Sequence, residues 1–332
     1  MDKPLLVLLP MQGKHLYSID MLRGLVALLV CLYHFTEGFY AEGHWIRIVF
    51  SRGYLGVEIF FIISGFVIPY SMYKTDYHQG KAGSFLLKRL IRIEPPYWCS
   101  ILLIFAIDYV TTFFRHYKDK VIVYNWRDLL YHVLHLNDFM DQPWLKGIYW
   151  SLAIEVQYYI LMALIFPFII FRNFWQTIWV LLAFCLGRWI DSDKLVFYYG
   201  CHFVTGIVLF NYYIGQLNSK QLKIGLLICY GMTLWSFDLY HLSASIGATM
   251  FILFANYWIP PLVFLGKISY SFYLIHIQVG WTILDALRRS YPEYGLLQSM
   301  LLSIALTIFC SYLFYLIIEK PSHRWAWSIK QI

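Results

Sequence analysis

The sequence predicts an all-α, polytopic integral membrane protein of about ten transmembrane helices, forming one domain across residues 1–332. Three observations carry that prediction. Hydrophobic residues make up 60% of the chain, against roughly 45–50% in soluble domains, more apolar surface than a water-soluble fold of this size can hide. Charged residues are 14%, about half the usual roughly 25%. Apolar runs recur along the chain near the length of about 20 residues that crosses a core roughly 30 Å thick. Together these exclude a disordered chain, a secreted disulfide scaffold and an ordinary cytosolic enzyme.

The runs fall at 20–40, 54–73, 95–114, 148–171, 174–190, 195–213, 222–238, 241–259, 264–287 and 297–318. The first follows residues 1–14, where no small-residue cleavage site appears, so it is expected to be a retained helix. The third opens after the basic segment 74–94. Segment 115–147 is the longest connection, and Trp126–Leu136 within it has the pattern of an amphipathic surface helix. The fourth run has Trp150 and Ser151 near its start. The fifth and seventh are short for spanning helices, and the remaining four have full length. No repeat and no Pro/Ser-rich linker divides the chain. An even number of crossings puts both termini on one side. The larger share of the 26 Lys and Arg residues then lies on that side, which makes it cytoplasmic.

The net charge of +7 reflects these basic residues between apolar runs. It points to lipid headgroups, membrane orientation or an anionic ligand, not to nucleic acid. Cys31, Cys99, Cys185, Cys201, Cys229 and Cys310 all sit in apolar runs without a CxxC pair, the pattern of small buried hydrophobes. No metal is expected.

Ionisable residues inside spanning helices are costly, about 2.5–3.5 kcal/mol each at the centre, so they mark a cavity or a partner. His34, Glu58, Glu155 and His276 stand out. Arg23 and His34 share a helix face about 16 Å apart, because eleven residues at about 100° each make three turns and a little more. Counted from the run ends, His34, Glu58 and Glu155 fall at similar depth in the outer half, with His276 near the midplane. A carboxylate beside an imidazole fixes its tautomer and stabilises its charged form; buried structural pairing would place the same residues there. At the inner face Arg23, Arg89 and Arg92, with Lys88 and Lys267 nearby, form a basic group. Arg89 and Arg92 project together at i, i+3. Paired guanidinium groups suit phosphate oxygens, of a ligand or of lipid.

The segments carrying these residues resemble the membrane-bound acyltransferase-3 family, which O-acylates bacterial cell-surface sugars. The first helix reads SIDMLRGLVALLVCLYH from Ser18 to His34, like the family's Asp-x-x-Arg-Gly opening with Arg-x10-His spacing. GYLGVEIFFIISGFVI from Gly53 to Ile68, KRLIRIEPPYW from Lys88 to Trp98, WSLAIEVQYYI from Trp150 to Ile160, ISYSFYLIH ending at His276, and the closing Glu319-Lys-Pro follow in the family's order. One departure is Val156, where many members have a second glutamate. The C-terminal hydrolase-like domain of some members is not seen in the sequence, so acylation of the acceptor is expected from the membrane domain itself or with a separate partner.

The resemblance implies acyl transfer, acetyl above all, from cytoplasmic acyl-CoA to a hydroxyl of a surface polysaccharide or glycolipid, in the bacterial inner membrane. On their chemistry, His34 is expected as general base, Glu58 or Glu155 as its orienting carboxylate, His276 as a further site residue, and Arg23, Arg89 and Arg92 as holders of the CoA phosphates. Gly56, Ser64 and Gly65 are assigned to close helix packing, and Ser151 to packing or capping instead of an acyl carrier. The alternatives left open are a proton-coupled transporter or lipid flippase without transferase chemistry, and an acyltransferase acting on a small molecule. The oligomeric state is not legible.

Overall fold

A computed structural model describes residues 16–113, 125–170, 174–190, 192–255 and 257–329. The expectation for residues 1–14, and Lys3, Lys14, Arg172 and Lys330 in the orientation argument, lie outside these. Among the described residues there is no strand and there are fourteen α-helices. They are α1 (Tyr17–Phe39), α2 (Trp45–Phe50), α3 (Gly56–Lys74), α4 (Ala82–Thr111), α5 (Trp126–Val133), α6 (Trp150–Ile169) and α7 (Phe174–Leu186). Then come α8 (Gly200–Tyr213), α9 (Ser219–Ser236), α10 (Leu239–Phe254), α11 (Pro260–Lys267), α12 (Ser269–Ser290), α13 (Leu296–Phe314) and α14 (Lys320–Ser328).

Each expected run contains a helix, but fewer than ten are long and apolar enough to cross a membrane by themselves. Five described segments qualify: Tyr17–Phe39, Trp45–Lys74, Gln79–Thr111, Trp150–Ile169 and Leu296–Ser328. A sixth results if α11 and α12, bent by 77° at their junction, are one span. The shortfall has physical causes. Every residue of α8 is buried, so its surroundings are protein and its length need not match a lipid core. The first turns of α9 are polar, closed by a capping box between Asn218 and Gln221, which lowers its apolar content. The expected surface helix is α5, capped by Asn125, whose side chain accepts from the Arg127 amide.

The core is built where helices come closest. α3 and α8 cross at Gly65 and Gly206: a Cβ on Gly206 would lie 2.1 Å from the Ile62 carbonyl oxygen. α1 and α11 meet the same way, since a Cβ on Gly266 would lie 1.9 Å from the Asp20 carbonyl oxygen. Around the α3–α8 crossing pack Phe61, Phe203, Tyr158 and Phe66; the Tyr158 and Phe203 rings stack 4.1 Å apart. Leu102, Leu164, Leu227 and Phe309 point outward, an apolar perimeter suited to lipid and not to water. Cys31, Cys185, Cys201 and Cys229 are buried free thiols, and Cys99 and Cys310 are half-buried.

Candidate functional site

Arg23 of α1, Arg89 and Arg92 of α4, and Glu155 of α6 line one cleft of about 900 Å³, counting its open mouth. Glu319 and His323, from the C-terminal end of the chain, complete its polar wall. α4 stays helical through Pro95 and Pro96, and next to this break the Tyr270 hydroxyl donates to the Ile93 carbonyl at 2.8 Å. That bond ties α12 to this stretch of α4. The Arg89 guanidinium lies over the rings of Phe85 and Tyr159, 5.5 and 5.9 Å from their centroids. These contacts stabilise a cation away from water. Glu155 Oε1 accepts from the Tyr159 hydroxyl at 2.5 Å and from Ser64 at 3.4 Å. Glu319 is buried and accepts from both the amide and the hydroxyl of Ser271.

Ser151 and Tyr273 also line the cleft. Their hydroxyls are 2.7 Å apart, and both reach the Ile148 carbonyl, at 3.1 and 2.8 Å. Ser151 is thereby tied to the turn before α6 without capping it, since α6 has no side-chain cap and the Ser151 hydroxyl donates to a carbonyl. The Tyr273 ring lies 6.0 Å from that of His276, and the His276 ring 5.4 Å from that of His34. His276 Nδ1 contacts the carbonyls of Tyr273 and Phe272, at 2.8 and 3.2 Å. A carbonyl only accepts, so Nδ1 carries the hydrogen and Nε2 keeps its lone pair. Nε2 is buried without a protein partner.

The seven sequence-derived residues therefore separate into three places. Arg23, Arg89, Arg92 and Glu155 share the cleft. His34 and His276 form a ring pair beside Tyr273. Glu58 stands apart, its Oε1 3.7 Å from His241 Nε2 and its Oε2 buried without a partner. His241 Nδ1 in turn donates to Asp238 Oδ1 at 2.7 Å. That bond, with those from the backbone amides of His241 and Tyr240, holds the Asp238 carboxyl below the usual range.

Neither glutamate is hydrogen-bonded to His34, which corrects the expected carboxylate–imidazole pairing at a shared depth. Counting depth from run ends takes each helix to start at the surface of the bundle, whereas α6 starts from buried contacts. Tyr149, just before it, packs edge-on against Tyr97 and bonds Ser100, both inside α4. The chain has already turned inward there, so Glu155 falls among the arginines. Ser64 also departs from its packing assignment, because its hydroxyl serves Glu155, whereas Gly56 and Gly65 do make close packing contacts. Sequence reading missed Tyr159, Tyr273 and His323. The i, i+4 spacing of Glu155 with Tyr159, and of Glu319 with His323, was the available signal. Among the described residues no group of three His, Cys, Asp or Glu side chains converges to hold a metal ion.

A family profile described as an acyltransferase domain matches residues 16–316. Over 236 residues the chain is 28% identical to the O-acetyltransferase OatA of Staphylococcus aureus strain NCTC 8325, a match covering 65% of this chain and 35% of that protein. A second protein, SACOL0978 of S. aureus strain COL, provisionally named an O-acetyltransferase, is 26% identical over 371 residues, covering 94% of this chain and 58% of its own length. The chain thus spans between about a third and three-fifths of these relatives. No solved structure matches it.

Proposed function

Because the chain belongs to the acyltransferase-3 family, whose profile covers residues 16–316, we propose that it is an integral-membrane O-acyltransferase of the bacterial inner membrane. It moves an acetyl group from cytoplasmic acetyl-CoA to a hydroxyl of a surface polysaccharide or glycolipid. Its ten helical runs cross the bilayer, with both termini in the cytoplasm. The names of the two relatives favour O-acetylation. One observation carries the reading: a cleft lined by three guanidinium groups is also lined by Tyr273, whose ring lies 6.0 Å from that of His276, itself 5.4 Å from that of His34.

In this reading the donor's phosphates rest on Arg23, Arg89 and Arg92, and its thioester arm runs up the cleft towards Ser151 and Tyr273. His34 takes the proton of the acceptor hydroxyl. The acceptor oxygen bonds to the thioester carbonyl carbon, the carbon–sulfur bond breaks, and the thiolate leaves and takes up a proton to give free CoA. His276, its Nδ1–H held by the Tyr273 carbonyl, packs beside the His34 ring. Glu155, bonded to Ser64 and Tyr159, balances the arginine charges.

The test is thioester consumption by the purified protein given acetyl-CoA and a glycan acceptor. Free CoA is expected only when acceptor is present. Arg89→Ala and Arg92→Ala should each raise the KM for acetyl-CoA by about 10–100-fold, the worth of one charge-assisted contact. Lys should restore part of this, lacking the planar fork. An unchanged KM in both Ala variants, at normal expression, would leave these residues as membrane-orientation signals and overturn the donor assignment.

A further inference from the structure

Arg89 and Arg92 belong to two cavities at once. Beside the cleft lies a second space of about 700 Å³, counting its open mouth, lined by Lys81, Lys88, Arg89, Arg92 and Trp327. Four cationic side chains around one space suit a polyanion. The two arginines form the junction through which a long donor, phosphorylated at one end and reactive at the other, would pass between the two compartments.

The C-terminal end of the chain builds the wall of this junction. α13 does not run directly into α14: residues Tyr315–Glu319 form a π turn. Such a turn accommodates an extra residue and re-aims the side chains that follow, and it is frequent at functional sites. Glu319 and His323, four apart, emerge on one face and reach the cleft. Glu319 is locked by Ser271. His323 Nε2 accepts a hydrogen bond from Arg92 Nε–H at 3.2 Å and lies 3.5 Å from Glu319 Oε1. Among the described residues the two terminal amino groups of Arg92 take no hydrogen bond. Engaging Nε alone therefore fixes the plane of the guanidinium and leaves its outer fork open, the edge that pairs with phosphate oxygens.

We propose that His323 is a donor-positioning residue, holding Arg92 at the junction of the two cavities with its terminal amino groups free for a phosphate of the acyl donor. This rests on the donor reading above and extends it to the C-terminal helix. His323 touches no reacting atom; it acts through Arg92, and it serves substrate capture instead of the transfer step.

Equilibrium binding of coenzyme A to the purified full chain in lipid nanodiscs, alongside acetyl-CoA kinetics, tests the inference. Wild-type protein is expected to bind CoA. His323→Ala should weaken that binding and raise the acetyl-CoA KM by about 5–15-fold, with kcat within about twofold, the size of one lost hydrogen bond. His323→Gln, whose amide oxygen can accept from Arg92 Nε–H, should restore most of the loss. In an Arg92→Ala background His323→Ala should add nothing further. If the Ala variant does not assemble, His323→Leu keeps the bulk without the acceptor and is expected to bind as weakly. Wild-type protein that binds no CoA overturns the donor reading and this inference with it. CoA binding by wild type, with equal binding by His323→Ala or His323→Leu, overturns the inference alone. So does a loss that His323→Gln fails to restore, or one that adds fully to Arg92→Ala.

Discussion

His34 has the His276 imidazole as a ring neighbour, and the carboxylate whose charge acts on it is Glu37, one turn along the same helix. In the proposed mechanism His34 removes the acceptor proton, so His34→Ala should cost on the order of 10²–10⁴-fold in rate. Donor affinity should survive, because Arg23 lies about 16 Å away along the same helix. Measuring CoA binding and turnover on one preparation of His34→Ala decides the matter: intact binding without turnover supports the base, and turnover within a few-fold of wild type sinks it. At this scale the sequence was legible wherever a single helix sufficed. The shared face of Arg23 and His34 follows from helical period alone. The pairing of His34 with His276, and of Glu155 with Ser64, needs the packing of separate helices, which no local spacing encodes.

At the scale of elements, the glycine contacts make the sharpest prediction. Gly206 and Gly65 bring the backbones of α3 and α8 together, and a Cβ on Gly206 would also meet Gly65 Cα at 2.7 Å. Backbone cannot swing aside as a flexible side chain can, so Gly206→Ala must push two central helices apart. Overpacking of this kind costs about 1–3 kcal/mol and should lower the melting temperature in detergent. A Cβ on Gly231 in α9 would meet nothing within 4 Å, so Gly231→Ala should be neutral or slightly stabilising through helix propensity. Equal melting of the two variants would show that the α3–α8 crossing does not bear on stability. Helix existence was legible here because apolar runs and helical period suffice. Helix ends were not: the start of α6 is set by Tyr149 against Tyr97 and Ser100, contacts distant in sequence.

At the scale of the whole molecule the open matter is which end faces the cytoplasm and how many helices cross. Lys81, Lys88, Arg89 and Arg92 gather with Trp327 of α14 at one end, where the positive-inside rule puts the cytoplasm. Beyond the five or six segments long enough to cross unaided, α7, α8, α9 and α10 decide the count. α8, at about 21 Å for its length, is wholly enclosed by other helices, so shortness does not bar it from crossing. Its two ends offer a direct reading. Before it, Lys194 pairs with Asp141 at 2.5 Å, tying that loop to the segment ahead of α6; after it, α9 begins with Lys220 and Lys223. If α8 crosses, these loops lie on opposite sides. On a cysteine-free background, Asp193→Cys and Glu42→Cys should react with an impermeant thiol reagent in intact cells. Lys220→Cys and Ser328→Cys should react only after permeabilisation. Labelling of Lys220→Cys from outside would remove α8 from the crossings. Labelling of Ser328→Cys from outside would turn the arginine mouth away from the cytoplasm, where no acyl-CoA could reach it, and the transferase mechanism would fall with the topology.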